Sequence, residues 1–236
     1  MRRIEYLWIL AAMICGMAFM LIGGILTDRA ADSYAAFKEN QGASCIVIDA
    51  GHGGVDGGAV SCTGIYESII NLEIALRLND LLQLLGYQTY MIRTEDISVY
   101  TSGSTIAEKK ISDLKERVRI IQSVDAPIVV SIHQNYFADG RYSGAQVFFN
   151  EKGESLAKLT QDLFVKNLNP GSHRKTKRAN GVYLMDKIQC PAILVECGFL
   201  SNATEEYNLR DSAYQKKICC VISGAISKYI NNSSVA

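Results

Sequence analysis

Residues 45–58 read CIVIDAGHGGVDGG, a continuous apolar run that ends abruptly in a glycine-rich loop. A short apolar run bounded by glycines is typical of a buried β-strand, and glycine lets the backbone turn sharply. His52 lies in this loop, where its side chain can face a site beyond the end of the strand. The stretch therefore predicts a buried strand that carries a chemically useful residue at its end.

A helical pattern follows this strand in residues 67–86, ESIINLEIALRLNDLLQLLG. Apolar residues recur there at helical spacing, and Gly86 is a stop signal. Glu67 falls in the first turn of the predicted helix.

Further along, strand-like runs again alternate with helical segments. Strands are predicted in YQTYMIR, PIVVSIH, GAQVFFN, VYLM and PAILVECGF, and helices around Asp113–Ser123, in GESLAKLTQDLFVKNLN and from about Ser212 to Ile230. Strands that alternate with helices need crossover connections. We therefore expect an α/β fold, with a mostly parallel or mixed central sheet and helices on both faces.

The N-terminal segment has a different character. Residues 7–26, LWILAAMICGMAFMLIGGIL, carry no charge and as a helix are long enough to cross the roughly 30 Å hydrocarbon core of a bilayer. Arg2 and Arg3 precede this stretch, so the positive-inside rule places the rest of the chain outside the cytoplasm. A cleaved signal peptide is the alternative, with Ala30 and Ala31 as small residues nearby. Both interpretations export the remainder of the chain.

These patterns divide the chain into three parts. Residues 1–26 form an N-terminal membrane anchor, a transmembrane helix, or a signal segment. Residues 27–44 form a polar tether, and residues 45–236 form the folded catalytic domain.

Composition excludes some classes of partner and site. The 24 basic and 24 acidic residues balance, so the net charge gives no support for nucleic-acid binding. The seven cysteines show no paired CxxC spacing, which argues against a zinc ribbon and for structural thiols.

Four residues at the ends of apolar runs stand out as candidates for chemistry: His52, Glu67, His133 and Glu196. Catalytic zinc takes three protein ligands, typically imidazoles and a carboxylate, and leaves a fourth position open to water. Two histidines with one glutamate, and a second glutamate as general base, satisfy that need. Taken singly, His52 suits an ordinary turn, Glu67 a helix start and His133 a core position, whereas a carboxylate after AILV needs a partner.

The third histidine, His173, lies in the basic loop SHRKTKR, where solvation is the simplest interpretation. The cations of this loop fit either a solvated face or contact with an anionic substrate. They are Arg174, Lys175, Lys177 and Arg178.

From Cys45 to about Ile230 the chain resembles the zinc-dependent N-acetylmuramoyl-L-alanine amidases of bacterial cell walls, the Amidase_3 family. Four motifs carry the resemblance in order: IVIDAGHGGVDGGAV, the Glu67 segment with Asn71 one turn later, VVSIHQN and PAILVECGFLSN. MIRTED and the Arg117 helix match weaker family positions. The resemblance implies that His52, Glu67 and His133 bind Zn²⁺ and that Glu196 is the catalytic carboxylate.

Within the family, the N-terminal segment and the run RANGVYLMDKIQCPAILVECGFLSN look most like the germination-specific amidases of endospore formers. This resemblance implies a peptidoglycan substrate, the spore cortex glycan with its stem peptides. It also implies a step before muramic lactam formation, which a muramic acid deacetylase completes. An activating or lipoprotein partner and a location on the extracytoplasmic side of a membrane, around the forespore, belong to the same expectation.

Two other functions remain open at this point. One is a non-catalytic protein that binds peptidoglycan or a partner, although such a protein is expected to lose a ligand or the base. The other is a zinc peptidase on the same fold, which the absence of an HExxH helix disfavours.

Overall fold

The computed structural model describes residues 44–233, and six strands in that range form one twisted layer. Their order across the sheet is β2-β1-β3-β6-β4-β5. Strands β1, β2, β3 and β6 run parallel, whereas β4 runs antiparallel to β6 and carries β5 beside it, so the predicted mixed sheet is confirmed. The strands are β1 Ile46–Ala50, β2 Thr89–Met91, β3 Ile128–Asn135, β4 Gln146–Phe149, β5 Lys177–Arg178 and β6 Ala192–Phe199.

Helices cover both faces of this sheet, as predicted. Residues of the same strand alternate between two apolar clusters: Ile46 and Ile48 pack on one face, and Val47 packs on the other. Because the central strands β1, β3 and β6 are buried on both sides, their sequences are largely continuous apolar runs instead of alternating ones. The helices are α1 Glu67–Leu84, α2 Ile106–Gln122, α3 Glu154–Asn167, α4 Tyr183–Lys187, α5 Ala203–Arg210 and α6 Ser212–Ser233.

The two clusters involve different helices. α1, α3 and α6 supply the larger cluster, which includes Ile74, Phe164 and Ile222. α2 and α4 supply the smaller one, which includes Ile121 and Leu184. Burying one such side chain stabilises the fold by about 1.5–3 kcal/mol, so the larger cluster is the main hydrophobic core.

Three sequence-based predictions of local structure were wrong or incomplete. VYLM was predicted as a strand, but Tyr183–Lys187 form a short helix whose Leu184 and Met185 pack on the sheet. The helix predicted around Asp113 begins earlier, at Ile106, and α5 was not predicted at all. Short apolar runs do not distinguish a strand from a buried helical turn, which explains the first error.

The early start of α2 has a clear local cause. Thr105 and Glu108 form a capping box, in which each side chain bonds to the backbone of the other residue. Ile106 and Ile111 are exposed, so the first turns carry no apolar stripe that the sequence pattern could reveal.

No helix within residues 44–233 is both long and apolar enough to cross a bilayer. The anchor or signal segment predicted in residues 1–26, and the tether of residues 27–44 apart from Ser44, lie outside the described residues. Both remain predictions.

Candidate metal centre

The four candidate residues from the sequence meet at the carboxyl edge of the parallel strands. His133 lies near the end of β3 and is in register with Glu196 of β6. His52 lies two residues after the end of β1, and Glu67 is the first residue of α1. The carboxyl edge of an open α/β sheet is where ligand sites usually form.

Three of these side chains form a compact cluster, which we call the His–Glu–His cluster: His52, Glu67 and His133. One ligand atom from each lies within 4.8 Å of the others. Nε2 of His52 is 3.3 Å from Glu67 Oε2, and Nδ1 of His133 is 2.9 Å from Glu67 Oε1. Two imidazoles and one carboxylate form a donor set that suits a transition-metal ion.

Glycines make room for this cluster. A Cβ atom at Gly51 would lie 2.2 Å from the His133 ring, and one at Gly58 would lie 2.6 Å from Glu67 Oε2. His52 itself has a φ of 60°, a left-handed conformation that is uncommon for residues other than glycine. The glycine-rich loop therefore allows its backbone to approach the side chains of the cluster closely.

Two buried arginines fix the loop that carries His52. Arg117 donates to the carbonyl oxygens of Ala50 at 2.9 Å and His52 at 2.6 Å. Arg93 donates to the carbonyls of Ala50 at 2.8 Å and Gly51 at 3.0 Å. Arg117 also pairs with the buried Asp49. These bonds stabilise the unusual backbone conformation at His52.

A second group of side chains orients the cluster itself. His52 Nδ1 is 3.0 Å from Asp56 Oδ2, and Lys110 Nζ is 2.7 Å from the other oxygen of Asp56. Asn71 donates to Glu67 Oε1 at 3.1 Å. A carboxylate on the second nitrogen of a metal-binding imidazole fixes its orientation and raises its basicity.

Hydrogen bonds within the cluster shift the pKa values of His52 and Glu67 towards their charged forms. Burial opposes protonation of His52, but hydrogen bonds to Asp56 and Glu67 outweigh burial and raise the pKa of His52 to about 9. Burial likewise opposes ionisation of Glu67, yet the hydrogen bonds from His133 and His52 hold its pKa well below the usual range. The cluster thus holds an ionised carboxylate between two imidazoles, and His52 must release its proton before it can bind a metal ion.

Glu196 differs from Glu67 in its environment. Its Oε2 atom is shielded from solvent and has no hydrogen-bond partner among residues 44–233. Burial raises the pKa of Glu196 to about 7, and the neighbouring Glu67 charge acts in the same direction against the two histidines. A carboxyl group with a pKa near neutrality can both take up and release a proton at physiological pH.

The remaining sequence candidates lie apart from the cluster. His173 is exposed in its basic loop, as expected, and Arg178 pairs with Glu151 at 3.5 Å on the surface. Asp56 and Lys110 were not singled out from the sequence. The position of Asp56, four residues after His52 in the same loop, was a usable signal, whereas Lys110 reaches the site only through tertiary packing.

Comparison with known proteins gives consistent matches. Residues 46–228 match the family model Amidase_3, described as N-acetylmuramoyl-L-alanine amidase. The chain is 37% identical over 202 residues to the germination-specific N-acetylmuramoyl-L-alanine amidase of Bacillus subtilis, with 84% of each chain covered.

Solved structures agree with these matches. The CwlD amidase from Clostridioides difficile, determined in complex with the GerS lipoprotein, matches with a TM-score of 0.77 at 36% identity over 80% of this chain and 98% of that one. The amidase AmiC2 of Nostoc punctiforme matches with a TM-score of 0.68 at 29% identity, over 80% of this chain and 97% of that one.

Proposed function

The chain belongs to the Amidase_3 family and is an N-acetylmuramoyl-L-alanine amidase, and from this premise we propose how its residues act and where it works. The bond that such an enzyme cleaves is the amide between the lactyl group of muramic acid and L-alanine. We propose that His52, Glu67 and His133 hold Zn²⁺ and that Glu196 is the catalytic general base. One observation carries this proposal: the unpartnered Oε2 of Glu196, in register with His133 across the β3–β6 pair.

The residues present fit a zinc ion. Zinc accepts imidazole nitrogen and carboxylate oxygen, and catalytic sites use three protein ligands. The His–Glu–His cluster supplies that number from atoms within 4.8 Å of one another. Glu196 Oε2, which is buried without a partner, is the acceptor that such a site needs for a reacting water.

The chemistry divides between the metal and the chain. Bound zinc supplies Lewis acidity that makes a water nucleophilic at neutral pH and polarises the scissile carbonyl. Glu196 accepts the proton of the attacking water at Oε2 and later delivers it to the nitrogen of the departing L-alanine. The pKa of about 7 matches this double role, since the carboxyl group is half ionised near neutrality.

The germination-specific relative suggests the biological setting. We propose that the substrate is spore cortex peptidoglycan and that removal of stem peptides prepares muramic acid for a deacetylase and for muramic lactam formation. The complex of the Clostridioides difficile amidase with a lipoprotein supports an equivalent lipoprotein partner here. Action outside the cytoplasm, with residues 1–26 as anchor or signal segment, completes this proposal.

Digestion of purified cortex peptidoglycan followed by mass spectrometry tests the function. The expected products are free stem peptides that begin with L-alanine, and a metal chelator should abolish them. Release of a terminal amino acid from the stem peptide would instead identify a peptidase, and unchanged peptidoglycan with retained binding would identify a non-catalytic protein.

A matched pair of variants tests the role of Glu196. Glu196→Gln should stop product formation while metal content measured by elemental analysis stays at one ion per chain. Glu154→Gln, a change at an exposed glutamate that begins α3, is the control and should remain active. Wild-type turnover in the Glu196→Gln variant would contradict the role of general base.

A further inference from the structure

A cavity of about 900 Å³ opens over the start of β4. Gln146, which lines this cavity, is directly opposite Glu196 in the antiparallel pair of β4 and β6. Side chains of directly opposed residues project from the same face of a sheet. The cavity therefore begins one strand away from the proposed catalytic carboxylate.

Arg174 lines the cavity and is held by neutral partners. Its Nε donates to the carbonyl of Ser143 at 2.7 Å, and its Nη1 donates to Gln146 Oε1 at 3.0 Å. The guanidinium also lies over the Phe199 ring, with Cζ 4.5 Å from the ring centroid. These contacts fix the orientation of the guanidinium without neutralising its charge.

The Arg174 charge acts on the Glu205 carboxylate, but among the described residues the two side chains form no ion pair and share no hydrogen bond. Arg174 forms no ion pair within residues 44–233, and its Nη2 takes part in none of the hydrogen bonds there. Glu205, the carboxylate that lines the same cavity, is occupied by the backbone amides of Gly144 and Phe199, each at 2.8 Å. The guanidinium is therefore oriented and has a free donor.

Further positive charge surrounds the opening. Lys175 and Lys177 line the cavity, are exposed to solvent and form no ion pair among the described residues. With Arg174 they outnumber the single carboxylate of Glu205. A cavity with this balance attracts an anion, and a guanidinium with a free Nη2 donor can form a charge-assisted hydrogen bond to a carboxylate.

We propose that this cavity is a subsite for the stem peptide and that Arg174 recognises the free α-carboxylate of its second residue. This inference rests on the proposed function, because the D-glutamyl residue after L-alanine is linked through its side chain and keeps its α-carboxylate. Two residues of extended peptide reach about 7 Å from the scissile amide. A neighbouring strand lies about 5 Å away, and the Arg174 side chain covers the remaining distance.

The test compares two substrates that differ at one group. These are N-acetylmuramoyl-L-alanyl-D-glutamate γ-methylamide, with a free α-carboxylate, and N-acetylmuramoyl-L-alanyl-D-isoglutamine γ-methylamide, with a neutral amide there. The wild-type protein should cleave the acid with a kcat/KM about 10- to 100-fold above that for the amide, the range expected for one charged hydrogen-bonded pair. In Arg174→Gln this preference should disappear because kcat/KM falls for the acid alone.

Two further variants separate recognition from folding and from general charge. Arg174→Lys keeps the charge but not the oriented Nη2 donor, and should retain an intermediate preference. Arg178→Gln removes a neighbouring cation that pairs with Glu151 outside the cavity, and should keep the wild-type preference. Thermal unfolding followed by circular dichroism checks that all three variants fold.

Binding provides a second measurement that does not depend on turnover. Calorimetric titration of wild-type protein with the γ-methylamides of L-alanyl-D-glutamate and L-alanyl-D-isoglutamine should show tighter binding of the α-acid, lost in Arg174→Gln. Equal affinity for both dipeptides, or binding of neither, would overturn the subsite. Cleavage of both substrates at equal rates would also overturn it and leave the amidase function intact, whereas cleavage of neither would count against the proposed function itself.

Discussion

The carboxyl edge of the sheet has two halves, one beside β1 and β3 and one beside β4 and β5, and they differ in how completely their charged groups are paired. Beside β1 and β3, Arg117 bonds to Asp49, Asp113 and two backbone carbonyls, and Glu67 lies between two imidazoles. Beside β4 and β5, Arg174 and Lys175 form no ion pair among residues 44–233, although the Arg174 charge acts on the nearby Glu205 carboxylate. The charged side chains named in the first half are paired within the protein. In the second half, hydrogen-bond donors of the cations remain free.

This difference separates two tasks. A metal site needs ligands that are fixed before the ion arrives, and saturated partners provide that rigidity. A substrate subsite needs groups whose hydrogen-bonding capacity is still available, because an occupied donor cannot bind an incoming ligand. Glu196 lies between the halves and combines both features, being held by a strand while its Oε2 is free.

Removal of a cluster ligand should have the largest effect. In His133→Ala one of three metal ligands is lost, so we expect metal content to fall well below one ion per chain and amidase activity to become undetectable. Elemental analysis after dialysis and the cortex digest measure the two losses. Glu154→Gln, at the exposed first residue of α3, is the control and should keep both metal and activity. Full metal occupancy in His133→Ala would show that the half beside β1 and β3 is not the metal site.

The Glu196→Gln change should lower kcat by about 10²- to 10⁴-fold, the usual contribution of a general base. Because Glu196 is not among the three clustered ligands, metal content should be unchanged. Steady-state kinetics with N-acetylmuramoyl-L-alanyl-D-isoglutamine γ-methylamide measure the loss. Loss of the metal as well in this variant would show that Glu196 is a metal ligand.

Among the interactions beside β1 and β3, the buried pair of Asp49 and Arg117 should contribute most to the free energy of unfolding. In Asp49→Asn the Arg117 charge loses its main partner, and we expect the free energy of unfolding to fall by about 3–5 kcal/mol at pH 7, measured by urea denaturation. Asp162→Asn, on the α3 surface, is the control and should change little. An unchanged free energy of unfolding would mean that Asp113 alone satisfies Arg117.

The same pair predicts the response to acid. Burial acts to raise the pKa of Asp49, but the Arg117 charge and the Ser131 hydroxyl outweigh it and hold the pKa below its usual value. The stabilisation is therefore present above the unfolded-state pKa of about 3.9 and is lost as the pH falls through the lower folded-state value. Urea denaturation from pH 7 to pH 3 should show a loss of stability that is smaller in Asp49→Asn than in wild type.

The smallest effect is expected when the hydrogen-bond partner of His52 Nδ1, Asp56, is changed. Asp56→Asn should lower metal affinity by about 10- to 100-fold without abolishing binding, the usual range for partners of metal ligands. Competition with a coloured chelator measures the change. Lys110→Met, which leaves Asp56 in place, should have a weaker effect. Wild-type affinity in Asp56→Asn would show that the loop backbone alone orients His52.

Prediction from sequence succeeded where a residue type and its local context carry the information. The strands β1, β3 and β6 were visible as apolar runs, and the polar residues at or near their ends identified three of the four site residues. It failed for α4, where a five-residue amphipathic turn resembles a strand, and for α5, which has only Asn202 as a local cap signal. Arg93 and Arg117 matched weak family positions, but their hold on the His52 loop was not foreseen.

The sequence by itself determined the alternation of strands and helices, the family, and the chemical types available at the carboxyl edge, because these depend on local periodicity and residue identity. Tertiary structure alone decided the register of His133 with Glu196, the pairing of Arg117 with Asp49, and the reach of Lys110 to Asp56. It also decided which cations remain free, since Arg174 and Arg178 are similar in sequence context but only Arg178 has an ion-pair partner in the described residues. Such contacts join residues distant in the chain, so their energies depend on how the layers pack and have no local signature.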